Sequence, residues 1–211
     1  MTNTPAINDP SYLPELDPML EYYIVEEPKF TFESPDDGPF TRALVRSLEG
    51  FLGRHKMERH YQGLKAKDVD SKTFFRDAFK LSNITLDGDL SPLGEIPKGR
   101  PVLFIANHPF GVIDGLILCN MALDYADDFQ VVINSLLCQD RDLVPHFLPI
   151  DFSETKEAAK RNVRSKQLAG KALANGVPLI LFPSGMVSTA DAPGFGDVVD
   201  APWTTFIANL V

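Results

Sequence analysis

The stretch that decides the fold is residues 101–115, which read PVLFIANHPFGVIDG. Its first six residues, 101–106, form a continuous apolar run, which is typical of a strand covered on both faces of a sheet. Pro109 and Gly111 favour a tight turn after that strand, and the pattern beyond them predicts a helix over about 113–123. Strand, turn and helix in this order are the unit from which α/β proteins are built.

The same alternation continues toward the C-terminus. Strands are predicted at 84–87, 129–133, 147–150 and 178–182, and a basic helix is predicted over about 154–174. Strands that alternate with helices predict an α/β fold with a central, largely parallel sheet flanked by helices. Because the chain stops at Val211 within an apolar helical pattern, we expect this sheet to be incomplete at its C-terminus.

Composition divides the chain into three parts. Residues 1–38 hold nine acidic side chains, one lysine and six prolines, which predict an extended, solvated arm with one helical turn near 18–23. Residues 39–82 carry apolar side chains at helical spacing and predict an amphipathic helical element, with helices over about 41–52, 56–65 and 71–81. Residues 83–211 are expected to form the α/β domain, shortened at its C-terminus.

Charge and composition exclude several classes of function. Nine acidic side chains against one lysine place −8 of the net charge of −9 in the first 38 residues, so the nearly neutral remainder offers no basic face for nucleic acid. No stretch approaches the ~18 apolar residues that span a bilayer. Cys119 and Cys138 are expected to be reduced and buried. No metal site or nucleotide fingerprint is predicted, and we expect a cytoplasmic protein that at most rests on the inner face of the membrane.

The most informative side chains of the opening stretch are His108 and Asp114. His108 lies in the turn after a predicted strand, where α/β sheets hold their ligands. Asp114 follows near the first turn of the next helix, so a turn that folds back brings its carboxylate to one ring nitrogen. The other nitrogen would act as a general base on a hydroxyl of the substrate. Taken alone, such a pair is more typical of a structural turn.

A second block changes that interpretation. Residues 181–188 read LFPSGMVS and follow another predicted strand. Together, 107–115 and 181–188 resemble the His-x4/5-Asp and Phe-Pro-x-Gly-x-x-Ser motifs of the glycerolipid and lysophospholipid acyltransferase family. Residues 132–136 and 147–151 also resemble family segments in the same order, and the resemblance extends from about Thr41 to the C-terminus.

The resemblance implies O-acyl transfer from a thioester of coenzyme A or acyl carrier protein to a hydroxyl of a lyso-lipid, a reaction of phospholipid biosynthesis that needs no bound cofactor. It implies that His108 is the general base and Asp114 its orienting partner. Backbone amides near Phe110 and Gly111 would stabilise the oxyanion. The residues expected to contact the substrate are Asn107, Phe110, Gly111, Phe182, Pro183, Ser184 and Gly185.

Three departures from the family pattern bear on the acceptor. Five residues rather than four separate His108 from Asp114. Ser184 stands where members acting on lysophosphatidate usually have a glutamate, and Phe152 stands where they have an arginine. Because the usual phosphate-reading cations are missing, the sequence favours another acceptor, such as a lyso-aminolipid or another lysophospholipid.

Two basic segments could contact the lipid. The helix after Asp151 carries Lys156, Lys160, Arg161 and Arg164, which would either contact the head group or form an ordinary solvated face. Residues 40–67 hold seven lysines and arginines, and this element would either lie against an anionic membrane surface or pack on the catalytic body. Two other functions stay open: hydrolysis of the acyl thioester, and lipid binding without catalysis.

Overall fold

The structure is a computed structural model that describes residues 17–28, 54–192 and 195–204 of the chain. Its helices are α1 (Pro18–Glu21), α2 (Arg54–Lys65), α3 (Ser71–Ser82), α4 (Ser91–Glu95), α5 (Val112–Ala126) and α6 (Lys156–Ala174). Its strands are β1 (Leu103–Ile105), β2 (Gln130–Asn134), β3 (Phe147–Ile150), β4 (Leu179–Leu181), β5 (Thr189–Ala192) and β6 (Phe195–Val199).

Four parallel strands form the central sheet in the order β1-β4-β2-β3. The register places Leu103 opposite Leu179, and Val131 opposite both Ile180 and Phe147. The α/β architecture with a parallel sheet confirms the predicted fold class. Because β1 and β4 are neighbours and parallel, the turns that follow them lie side by side at one edge of the sheet.

Alternate residues of the strands pack on opposite faces of the sheet. One face, with α3 and α5, buries Phe104, Val131, Phe147 and Ile180. The other face, against α6, packs Leu103, Val132, Leu148 and Leu179. The short apolar runs of the sequence are therefore explained by a sheet with helices on both sides.

The acidic segment before the α/β domain packs on the rest of the protein over residues 17–28, which the structure describes. Leu20 on α1 is 2% exposed and belongs to the main core. Asp17 accepts hydrogen bonds from Arg164 Nε at 3.0 Å and from Arg164 Nη2 at 2.7 Å. The predicted helical turn is confirmed by α1, but the expectation of a solvated arm is wrong for residues 17–28 because this apolar residue and this ion pair hold them.

Several other elements differ from their predictions. Residues 84–87 are not a strand, and no strand of the described sheet pairs with them. Strand β1 is the edge strand of the described sheet, and Ile105 at its end is exposed, so the strand is not covered on both faces along its whole length. The antiparallel pair β5–β6 was not predicted. The helix predicted over 41–52 and the apolar pattern beyond Thr204 lie outside the described residues.

The helices that were predicted in the described part of the chain are present, and α3 and α6 begin at side-chain caps. Asp70 accepts the N–H groups of Lys72 and Thr73, and Thr155 accepts the N–H of Ala158. Cys119 and Cys138 are both buried and unpaired, as predicted. No helix among the described residues is long and apolar enough to cross a membrane.

His146 joins α3 to the start of the central sheet. Its ring is 3% exposed and stacks on Phe129 at a centroid distance of 4.7 Å. Nδ1 donates to the carbonyl oxygen of Phe129 at 3.1 Å, so Nε2 accepts the hydroxyl of Ser71 at 2.7 Å. Burial lowers the pKa of His146, although the carbonyl of Phe129 and the carboxylate of Asp128 oppose this effect. The ring is therefore neutral in the folded protein.

We predict that this neutral histidine makes stability fall as the pH drops below the ordinary histidine pKa of about 6.5. In that range the unfolded chain takes up a proton that the folded chain rejects, which costs at most about 1.4 kcal/mol per pH unit. Urea denaturation from pH 7.5 to 5.5 should give a smaller slope for His146→Gln than for the wild type. Asp128, Lys72 and Asp70 surround the ring in both proteins, so their contributions cancel. Equal slopes would contradict the prediction.

Candidate active site

The turn after β1 is closed by the first turn of α5. Gly111 is the residue before the helix and has a φ of +63°, a conformation that favours glycine. It offers no side-chain cap. Instead Asp114, in the first turn of α5, reaches back and accepts the backbone N–H of Phe110 at 2.8 Å. The partial positive charge at the start of a helix favours a carboxylate in this place.

The same carboxylate oxygen contacts His108. Asp114 Oδ2 lies 3.1 Å from His108 Nδ1, and the two side chains are 10% and 18% exposed. Because an ionised carboxylate can only accept, Nδ1 carries the proton of the neutral ring. The structure thus brings together the two residues that the sequence singled out.

Three further contacts hold His108. Its ring stacks on Phe182, with centroids 3.9 Å apart and planes 19° apart. Its carbonyl oxygen accepts the N–H of Ser188 at 2.9 Å, and its own N–H donates to Asp200 Oδ1 at 3.2 Å. Within the part of the chain that the structure describes, no residue hydrogen bonds to Nε2. With the proton on Nδ1, the lone pair of Nε2 has no acceptor role toward any described residue.

The second block forms the loop after β4, beside the His108 turn. Gly185 has a φ of +68°, and its N–H donates to the carbonyl of Phe182 at 2.9 Å. Pro183 is fully buried, and its carbonyl accepts the N–H of Thr204 at 3.0 Å. Ser184 is buried too and donates its hydroxyl to the carbonyl of Met186 at 2.9 Å. Pro183 and Ser184 therefore shape the loop, while Phe182 contacts the imidazole.

The remaining predicted contact residues lie on the turn itself. Asn107 is exposed, and Phe110 is 70% exposed. The N–H of Phe110 is already used by Asp114, so the expectation that this amide serves an oxyanion is wrong. The N–H groups of Val112 and Ile113, in the first turn of α5, have no acceptor within the helix. They lie next to the His108 turn in the chain and could serve as donors to an oxyanion instead.

The basic helix α6 begins after β3, and no contact joins its described cations to the His108 turn. Lys156 and Lys160 are exposed. Arg161, by contrast, donates to Asp151 Oδ2 at 2.7 Å and to the hydroxyl of Tyr23 at 2.9 Å. Asp151 follows β3, which lies three strands from β1, or about 14 Å at the usual strand spacing. The structure therefore does not place Arg161 together with His108, because internal partners hold it at the far end of the sheet.

Three residues of the site were missed at the level of sequence. Asp200 Oδ1 accepts the hydroxyl of Ser188 at 2.7 Å, and Asp200 Oδ2 accepts Nε1 of Trp203 at 2.9 Å. Burial opposes the charge of Asp200, but the hydrogen bonds from Ser188, Trp203 and the His108 amide hold its pKa below the usual range. Ser188 belongs to the second block, whereas no pattern in the sequence marks Asp200 or Trp203.

The candidate site coincides neither with a metal-binding cluster of the described residues nor with the cavity beside α2 and α3. Among residues 17–28, 54–192 and 195–204, no group of histidine, cysteine and acidic side chains could hold a metal ion. A cavity of about 80 Å³ lies beside α2 and α3, lined by residues that include Leu64, Ser71 and Leu143. This cavity shares no residue with the His108 turn. The candidate site is therefore identified by the contact between Asp114 and His108 and not by a cavity.

Comparisons with known proteins match this chain to acyltransferases. A family described as acyltransferase matches residues 44–209, which include both sequence blocks. The lyso-glycine lipid O-acyltransferase of Phocaeicola vulgatus is 26% identical over 125 residues, which are 58% of this chain and 42% of that protein. The chain thus spans less than half the length of this relative. No solved structure is matched.

We predict that Asp114 stabilises the turn as well as orienting the ring. Asp114→Ala leaves the amide of Phe110 and Nδ1 of His108 without their acceptor, which should lower the free energy of unfolding by about 1–3 kcal/mol. Asp124→Ala is the matched control on the same helix. It removes a surface ion pair with Arg76 and should cost at most about 1 kcal/mol. Equal losses in urea denaturation would contradict the account.

Proposed function

The chain belongs to the acyltransferase family, and on that premise we propose that it transfers a fatty acyl group from a thioester to a hydroxyl of a lyso-lipid, with His108 as the general base. One observation carries the proposal: Asp114 holds Nδ1 of His108 at 3.1 Å, while Nε2 is left without a partner among the described residues. An imidazole whose Nδ1 proton is held by a carboxylate can act as a general base through Nε2.

In the proposed reaction, Nε2 of His108 takes the proton of the acceptor hydroxyl. At the same time the hydroxyl oxygen bonds to the carbonyl carbon of the thioester. The Asp114 carboxylate stabilises the imidazolium that results. The carbon–sulfur bond then breaks, and the proton passes from the imidazolium to the leaving sulfur. An ester and a free thiol are formed, and the ring returns to its neutral state. No cofactor takes part, and the acyl thioester is a co-substrate.

The acceptor that we propose is a lyso-lipid other than lysophosphatidate, such as a lyso-aminolipid. Ser184 is buried in its own loop, and Arg161 is held by Asp151 and Tyr23, so neither is free to read a phosphate. The relative from Phocaeicola vulgatus is named for a lyso-glycine lipid, which supports the same choice. Lys156 and Lys160 are exposed on α6, which follows β3 and not β1, so we propose them as contacts only to a head group that extends across the strand ends from His108.

We propose that coenzyme A or acyl carrier protein delivers the acyl group at the inner face of the membrane. Exposed apolar side chains surround the His108 turn, among them Phe110, Met186, Val187 and Trp203. Such a group suits a site that receives its substrates from a lipid surface. Tyr61 and Leu64 bury the apolar side of α2 in the core, and Lys65 is paired with Asp140 and Asp142. We therefore propose the exposed Lys56 as the side chain of this helix that adds attraction to anionic lipids.

The experiment follows thioester consumption on anionic vesicles with and without a lyso-lipid acceptor. We predict that turnover requires the acceptor and that His108→Gln lowers kcat about 10²–10⁴-fold, since it removes a general base. His60→Gln, on α2 and outside the site, is the matched control and should retain wild-type activity. A lyso-aminolipid should be used in preference to lysophosphatidate.

Each other outcome contradicts a separate part of the proposal. Thioester consumption that ignores the acceptor indicates a hydrolase. Lipid binding without turnover, unchanged in His108→Gln, indicates a non-catalytic protein. Preference for lysophosphatidate contradicts the proposed acceptor alone.

A further inference from the structure

Asp200 follows β6 and uses both oxygens of its carboxylate. Oδ1 accepts the backbone N–H of His108 at 3.2 Å and the hydroxyl of Ser188 at 2.7 Å. Oδ2 accepts Nε1 of Trp203 at 2.9 Å. Asp200 is 92 residues from His108 in sequence, so one side chain joins the His108 turn, the loop after β4 and the segment after the hairpin β5–β6.

These contacts control both backbone polar groups of His108. The N–H of His108 donates to Asp200 directly. The carbonyl of His108 accepts the N–H of Ser188, and the side chain of Ser188 is itself held by Asp200. Asp114 acts only on the ring and on the amide of Phe110. Without Asp200, the backbone of His108 would keep one contact, from a residue that had lost its own anchor.

The charge of Asp200 strengthens this arrangement. Hydrogen bonds to an ionised acceptor are roughly twice as strong as those between neutral groups. Three donors around one carboxylate hold the pKa of Asp200 below the ordinary range despite its partial burial, so the group is ionised at neutral pH. Both of its oxygens already accept from these donors, and Asp200 is thus suited to hold the turn rather than to move a proton.

We infer that Asp200 is a positioning residue of the acyl transfer proposed above, on which this inference rests: it fixes the backbone of His108 so that Nε2 is aimed at the acceptor hydroxyl. Asp114 sets the tautomer and the rotation of the imidazole ring, and Asp200 sets the position of the backbone that carries the ring. A general base that is displaced by about 1 Å loses roughly 10²-fold in rate. The effect of Asp200 therefore falls on kcat.

The experiment compares three variants by kcat, by KM for the acyl thioester and by thermal unfolding. Asp200→Ala removes all three contacts and should lower kcat about 10²-fold, with KM changed by less than about threefold. Asp200→Asn keeps an oxygen that accepts from His108 and Ser188, but its amide group is a donor and faces the donor Nε1 of Trp203. We expect it to lower kcat roughly tenfold. Asp197→Asn removes a charge from the exposed strand β6 and should match the wild type.

A purely structural role would give a different result. It would lower the midpoint of thermal unfolding and the amount of active protein, while kcat per folded molecule stayed within about twofold of the wild type. That result for Asp200→Ala overturns the inference, and if Asp200→Ala does not fold, the same result for Asp200→Asn overturns it. A wild type without acceptor-dependent turnover overturns the acyl transfer itself, and the inference with it. An active wild type with unimpaired Asp200 variants overturns the inference alone.

Discussion

One carboxylate oxygen, Oδ2 of Asp114, is the constraint on which the site depends. It accepts the amide of Phe110 at 2.8 Å and Nδ1 of His108 at 3.1 Å. The first contact closes the turn onto the start of α5, where Gly111 provides no cap of its own. The second contact assigns the ring proton to Nδ1. The fold of the turn and the basicity of Nε2 therefore have the same physical origin.

The parallel sheet supplies the rest of the site. Because β4 pairs with β1, its following loop lies beside the His108 turn, where Phe182 stacks on the ring and Ser188 binds the backbone. The hairpin after that loop returns the chain to Asp200. His108 is thus held at its ring face, at Nδ1 and at both backbone polar groups, which is the preorganisation that the proposed proton transfer would require.

The sequence predicted what depends on local pattern. Apolar runs identified β1, β2, β3 and β4, helical spacing identified α5 and α6, and the two blocks identified His108 and its loop. Long-range partners leave no such pattern. The bond from His108 to Asp200 spans 92 residues. Arg161 was interpreted as either a head-group contact or a solvated side chain, because nothing in a basic helix reveals that Tyr23 and Asp151 bind it. Residues 84–87 had the composition of a strand, but no strand of the described sheet pairs with them.

The central claim is that His108 keeps its proton on Nδ1 and offers a bare Nε2, and nitrogen-15 NMR of the imidazole tests it most directly. At a pH where the ring is neutral, the account predicts a protonated Nδ1 and an unprotonated Nε2 in the wild type. In Asp114→Ala the two nitrogens should shift toward the mixture of tautomers seen for a free imidazole. A wild-type ring that carries its proton on Nε2, or a ring that does not respond to the loss of Asp114, would contradict the account.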